Sequence, residues 1–137
     1  MKHHLALQSN LELETFCKVF SSLNDLPPFR FDFENETEWG EVELNGIWYN
    51  VSRPYEAGTL HAWDATVPSD CNFGITLGTQ KKLSFSEVFK NEFAALTSRI
   101  AQKLAVKLNT TVYHHRTWLN PDQSIDPKHV YHPSRVG

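Results

Sequence analysis

The chain has 137 residues, of which 40% are hydrophobic and 21% are charged, so it is long and apolar enough for one globular domain and too apolar for global disorder. Its net charge of −3 gives no general attraction to nucleic acid or to anionic membranes. Two cysteines make no disulfide framework, and neither a secretion signal nor an apolar run of membrane-spanning length is present, so the sequence predicts a cytoplasmic protein.

The first quarter of the chain predicts a strand, a helix and a second strand. Residues 2–8 alternate weakly between apolar and polar side chains, as a strand does. Residues 9–12 have the spacing of a capping box, and the apolar residues that follow at helical spacing predict a helix that ends near Ser22. Residues 29–33 carry phenylalanine at every second position, which predicts a half-buried strand with one aromatic face.

A β-hairpin is predicted over residues 41–52. Asn45-Gly46 separates two runs with alternating apolar residues, which is the strongest short-range hairpin signal. A type I′ turn needs a positive φ at both central residues, and asparagine and glycine tolerate that conformation best.

The next segments predict a long irregular loop over residues 53–71 and a strand over residues 72–79. A loop of this length inside a compact domain is uncommon and often functional. In the strand, Gly74 and Gly78 either weaken the pairing or allow a bulge or a close approach of backbone.

The last part of the chain predicts the longest helix. A second capping box at residues 84–87 precedes an apolar stripe that recurs every three or four residues up to Leu108, and Asn109 is placed to end the helix. Residues 110–118 then predict a final strand, and residues 119–137 predict an irregular, proline-containing tail.

The order β-α-β-β-β-β-α-β, without repeats or linkers, predicts a single α+β domain over residues 1–137. We expect two layers: a mostly antiparallel sheet, with both helices packed on one of its faces. Polar side chains at alternate strand positions would then lie on the other face.

An acidic band is the feature that bears most on function. It holds six carboxylates within twelve residues, interleaved with Trp39 and, on the next strand, Trp48; the carboxylates are Asp32, Glu34, Glu36, Glu38, Glu41 and Glu43. Aromatic anchors surrounded by complementary charge are typical of protein interfaces. Glu41 and Glu43 are available to a partner only if Val42 and Leu44 point into the core.

The first functional hypothesis is therefore a non-enzymatic protein-binding module. It would be an inhibitor that occludes a basic partner enzyme, as bacterial immunity proteins block toxin nucleases, and it would need no cofactor and no metal. The alternative is that the acidic band has no binding role and is a solvated outer face that only keeps the protein soluble. An exposed strand edge can also pair two copies into a homodimer.

Three other groups of residues give alternative hypotheses. His114, His115 and Arg116 have the composition of a small hydrolase or a metal-independent nuclease site. Cys71, with the loop residues His61 and Asp64, has the composition of a thiol hydrolase. A small-ligand pocket under the loop of residues 53–71 would involve Arg53, Tyr55 and Trp63.

Overall fold

The computed structural model describes residues 2–79, 87–115 and 129–133, apart from the side chains of Glu87 and His115. Its strands are β1 (Lys2–Leu7), β2 (Arg30–Phe33), β3 (Thr37–Leu44), β4 (Ile47–Pro54), β5 (Phe73–Thr79), β6 (Val112–His115) and β7 (Val130–Tyr131). Its helices are α1 (Leu13–Asn24), α2 (Thr59–Trp63) and α3 (Glu87–Leu108). The predicted capping box at residues 84–87 lies largely outside the described residues, as do Arg116 and most of the tail.

The strands form one antiparallel sheet in the order β2-β3-β4-β5-β1-β6-β7. β1 pairs with β5 on one side and with β6 on the other, so the β5-α3-β6 connection crosses over β1. The predicted α+β class, with an antiparallel sheet and the elements in the predicted order, is confirmed.

Both long helices pack on the same face of the sheet, as predicted. The core between the two layers joins side chains from α1, α3 and the inward positions of five strands, among them Leu5, Phe16, Phe20, Val42, Val51, Ile75, Phe93, Ile100 and Leu104. Burial of this apolar surface is the main stabilising contribution to the fold. At the end of α3, Asn109 has a φ of 51°, and the N–H of Thr110 donates a hydrogen bond to the carbonyl oxygen of Ala105 at 3.1 Å, which closes the helix end.

The Asn-Gly hairpin forms as predicted. Leu44 pairs with Ile47 across a two-residue turn, in which Asn45 and Gly46 have φ angles of 55° and 82°. Val42 is only 6% exposed and belongs to the core. Glu41 and Glu43 therefore lie on the side of the sheet away from α1 and α3.

The predicted capping box at the start of α1 is wrong. The residue that precedes the helix is Glu12, and its side chain makes no capping hydrogen bond. The Ser9 hydroxyl instead accepts a hydrogen bond from Leu11 N–H, while Asn72 holds the Ser9 backbone through both of its amide atoms, at 2.9 and 2.8 Å. A side chain distant in sequence thus fixes this segment.

The strand predicted around residues 29–33 forms, but the prediction that it is half-buried is wrong. β2 is an edge strand whose four residues are all exposed, with Phe31 at 45% and Phe33 at 72%. Of this run, Phe29 alone reaches the core. Alternation in the sequence shows which residues share a face but cannot show whether a helix reaches that face.

Short elements lie where the sequence predicted irregular structure. The loop of residues 53–71 contains the five-residue helix α2, and its residues Leu60, Val67 and Cys71 pack with Ala6 in a small second core on the other side of the sheet. In the tail, β7 pairs with β6.

Candidate binding face and adjoining cleft

The side of the sheet opposite α1 and α3 carries the predicted tryptophans, and we call it the open face. By strand register and lining, its side chains include those of His4, Asp32, Trp39, Glu41, Glu43, Trp48, Asn50, Ser52 and Thr76. Among the described residues, α2 and the loop after it cover one part of this face, around Ala6. The rest of it carries polar, aromatic and charged side chains, in which the carboxylates of the acidic band lie beside two basic residues, Arg30 and Lys2.

Trp48 is held in place by its neighbours on this face. Its indole N–H donates a hydrogen bond to Glu41 Oε2 at 3.2 Å, and Glu41 Oε1 lies 3.9 Å from Arg30 Nη2. The Arg30 side chain is 80% exposed, so its pairing with Glu41 is weak. Glu43 is exposed and lies opposite Trp48 in the register. The structure therefore brings the indole ring of Trp48 together with the carboxylates of Glu41 and Glu43.

The acidic band is divided between the two sides of the sheet. Glu38 lies on the helix side, where its Oε2 is 3.0 Å from Arg53 Nη1, and Arg53 Cζ lies 5.9 Å from the ring centre of Phe73. Glu34 and Glu36 lie in the turn between β2 and β3 and are exposed. Glu38 and Glu41 are three positions apart in β3 and point to opposite sides, so the six carboxylates do not share one face.

A cleft of about 330 Å³ lies on the open face between the sheet and α2. Its sheet wall is polar and comes from three adjacent strands, through His4, Asn50, Ser52 and Thr76, while Leu60, Trp63, Asp64 and Val67 supply the opposite wall. The four sheet residues were not among those predicted from the sequence. Their positions alternate with core residues in β1, β4 and β5, but this signal becomes a site only when the strand order is known.

The polar groups of the cleft are positioned by hydrogen bonds. His4 Nδ1 lies 3.1 Å from the hydroxyl of Thr76. Asp64 Oδ1 accepts hydrogen bonds from the backbone N–H and the hydroxyl of Thr66, at 3.0 and 2.7 Å. Burial, followed by the charge of Lys2, lowers the pKa of His4, and Asp64 acts in the opposite direction. His4 is therefore neutral at pH 7, and the carboxylate of Asp64 gives this wall a negative charge.

Trp63 separates this cleft from a second cavity. The second cavity is lined by Glu34, Asn35, Glu36, Thr37 and Trp63. The Trp63 side chain is 51% exposed and therefore offers much of its ring to solvent between Asp64 on one side and the two glutamates on the other. Neither lysine nor arginine is among the described residues that line the two cavities.

The three residues of the predicted ligand pocket do not come together. Trp63 lines the cleft, but Arg53 lies on the helix side with Glu38. Tyr55 is 54% exposed and lines a different cavity, with Phe31 and Phe33.

The environment of Cys71 disfavours the reactive thiolate form of its side chain. Cys71 is 2% exposed, and burial, followed by the charge of Asp70, raises its pKa to about 12. His61 Nδ1 donates its proton to the carbonyl oxygen of Val67 at 2.6 Å. A catalytic cysteine needs a lowered pKa and an accessible sulfur atom, and Cys71 has neither.

His114 lies on the helix side of β6 and is 6% exposed. Its Nε2 lies 3.0 Å from Nδ1 of His3, whose ring contacts Phe93 edge-on, and its ring also contacts that of His129. The side chain of His115 and the whole of Arg116 are outside the described residues, so the predicted trio stays a prediction. In the described part of the chain, no three histidine, cysteine or acidic side chains are arranged to hold a metal ion.

No family model, curated protein or solved structure matches this chain. None of the helices in the described ranges is long and apolar enough to cross a membrane.

Proposed function

We propose that this chain is a non-enzymatic protein-binding module that binds a basic partner protein through the open face. One observation carries the proposal: the register of the β3-β4 hairpin puts Trp39, Glu41, Glu43 and Trp48 on the side of the sheet that α1 and α3 leave uncovered. Large aromatic side chains on a surface lose little conformational entropy on binding and are frequent anchors of interfaces.

The mode of action that fits this face is occlusion. Its carboxylates would meet the basic groups with which a partner enzyme holds an anionic substrate, as an immunity protein does with a toxin nuclease. Complementary charge of this kind mainly accelerates association, while the buried aromatic contacts slow dissociation. The hydrogen bond from Trp48 to Glu41 supports the proposal, because an anchor that is already oriented loses less freedom on binding.

The test is affinity capture from the source cells with two charge-reversed proteins. The test protein carries Asp32→Lys and Glu43→Lys on the open face; the matched control carries Glu14→Lys and Glu92→Lys on α1 and α3. All four positions are exposed, and both variants change the charge by the same amount. We expect one basic protein to be captured by the wild type and by the control, and to be lost from the test protein.

The recovered partner then allows a quantitative measurement. Its association rate with the wild type should fall steeply as salt is raised, and the open-face reversal should slow association about tenfold or more at low salt. A toxin gene beside the gene for this chain would agree with the inhibitor assignment. Equal capture by the test and control proteins, with unchanged salt dependence, would refute the proposal.

A further inference from the structure

The cleft beside Trp63 is the part of the open face most suited to one particular side chain. We infer that Trp63 and Asp64 form a pocket for an arginine side chain of the partner protein, with the guanidinium group stacked on the indole ring. This inference rests on the proposed function, since it names the partner group that enters this cleft.

Charge is the first argument. Trp63 lies between two cavities whose described lining residues include three carboxylates, those of Asp64, Glu34 and Glu36, and no lysine or arginine. The imidazole of His4 is neutral at pH 7 and adds no positive charge to the cleft wall. A cation that enters the cleft therefore meets complementary charge on both sides of the indole ring.

The chemistry of the walls is the second argument. An exposed tryptophan ring is the best aromatic acceptor for a cation, and the flat guanidinium group stacks on it while its N–H groups remain able to donate in the plane of the ring. Asn50 and Ser52 line the same cleft and carry side-chain oxygen atoms that can accept from those N–H groups, while the carboxylate of Asp64, held by Thr66, adds negative charge beside the ring. Lysine has one compact charge and cannot make both kinds of contact at once.

Size is the third argument. The cleft of about 330 Å³ is larger than one guanidinium group and is of the size that takes a whole side chain of a partner. Leu60 and Val67 form its apolar part, against which the methylene groups of an arginine can pack. Arginine is among the residue types that dominate interface energetics in such pockets.

The experiment uses small probes and therefore needs no partner. Capped arginine (N-acetyl-arginine methylamide) is titrated into the full chain, and two-dimensional amide spectra report the shifts of the Trp63 indole N–H and of the backbone around Asn50, Ser52 and Asp64. Capped citrulline, a neutral isostere, and capped lysine are the comparison probes. We expect saturable millimolar binding of capped arginine, with at least about fivefold weaker binding of each comparison probe.

Two variants and one control locate the effect. Trp63→Leu and Asp64→Asn should each weaken binding of capped arginine about threefold or more, while Glu92→Gln, at an exposed position of α3 on the other side of the sheet, should not change it. Asp64→Asn retains the Oδ1 acceptor for Thr66, so its folded spectrum should be preserved. With the natural partner, Trp63→Leu should speed dissociation.

The outcomes separate the two proposals. Equal binding of citrulline, equal binding of lysine, or shifts that lie away from Trp63 would each overturn the arginine pocket. If capped arginine binds at Trp63 but the recovered partner binds equally well to Trp63→Leu, the cleft takes a free guanidinium compound and the docking inference is wrong. None of these results affects the charge-reversal test of the proposed function, which changes residues outside the cleft.

Discussion

Glu38 and Arg53 pair on the helix side of the sheet, so removing the charge of Glu38 should reduce stability and leave partner binding unchanged. The two side chains are 28% and 33% exposed and lie 3.0 Å apart, and Arg53 also lies over the ring of Phe73. The perturbation is Glu38→Gln, which keeps the size of the side chain. Glu43→Gln makes the same chemical change at an exposed position of the same strand and is the matched control.

The expected loss follows from the burial of the pair. Fully exposed ion pairs contribute about 0–1 kcal/mol, and a short charge-assisted hydrogen bond that is two-thirds buried lies above that range, at about 1–1.5 kcal/mol. With an unfolding entropy of about 2 cal/mol/K per residue, 1 kcal/mol corresponds to a change of about 3–4 °C in the Tm of a chain of this length. Glu38→Gln should therefore lower the Tm by about 3–5 °C, and Glu43→Gln by less than about 1 °C.

Thermal and urea unfolding measure this loss of stability directly. The proteins compared are the two variants, Arg53→Gln and the Glu38→Gln/Arg53→Gln double variant. The double-mutant cycle should give a coupling free energy near 1 kcal/mol that survives in 0.5 M salt, because the pair is partly shielded from water. A coupling below about 0.2 kcal/mol, or equal losses for Glu38→Gln and Glu43→Gln, would refute the placement of Glu38 on the helix side. If Glu38→Gln weakens partner binding and Glu43→Gln does not, the assignment of Glu38 to stability and of the open face to binding is wrong.

Three further predictions concern the turn, the thiols and His4. Gly46→Ala places a side chain at a φ of 82° and should cost about 1–2 kcal/mol in thermal unfolding; an unchanged Tm would contradict the turn geometry. Burial raises the pKa values of Cys17 and Cys71 to about 12, so at pH 8 iodoacetamide should modify both at least about 100-fold more slowly in the folded chain than in urea, and rapid modification of Cys71 would reopen the thiol hypothesis. Burial lowers the pKa of His4 below 6.5, so the unfolded chain takes up this proton first as the pH falls. The contribution of neutral His4 to the free energy of unfolding is fully present above pH 6.5 and is lost as the pH falls below it. In urea titrations, His4→Asn should therefore lose less stability between pH 7 and pH 5 than the wild type. Equal losses would show that His4 does not cause this pH dependence.

Local signals in the sequence predicted the parts of the fold that depend on local physics. The positive φ angles of the hairpin turn are a property of Asn45 and Gly46 themselves, and the stripe of α3 is a property of its own spacing. The capping box failed because Asn72, which is 63 residues away from Ser9, holds the backbone that the box would have used. A competing contact at that separation leaves no trace in the local pattern.

The candidate site was predicted only in part for the same reason. The sequence placed Trp39, Glu41, Glu43 and Trp48 together because they belong to one hairpin, whose register is fixed by its turn. It grouped Glu38 with them although Glu38 and Glu41 lie three positions apart in one strand, which puts their side chains on opposite faces of the sheet. The polar wall of the cleft needs β1, β4 and β5 as neighbours, and that order results from tertiary packing.

The shape of the open face beside Trp48 depends on Gly78 of β5. The sequence predicted that Gly74 and Gly78 weaken the strand or allow a bulge or a close approach of backbone, but the group nearest to each glycine is a side chain. A Cβ atom at Gly78 would lie 3.3 Å from Trp48, so the indole would have to move by a few tenths of an ångström, whereas a Cβ atom at Gly74 would make an ordinary contact with Leu60 at 3.4 Å. Since neither glycine has a positive φ, their backbone does not require glycine, and space for the indole of Trp48 is the reason that remains for Gly78. The same strand that builds the core with Phe73, Ile75 and Leu77 therefore also shapes the surface proposed to bind the partner.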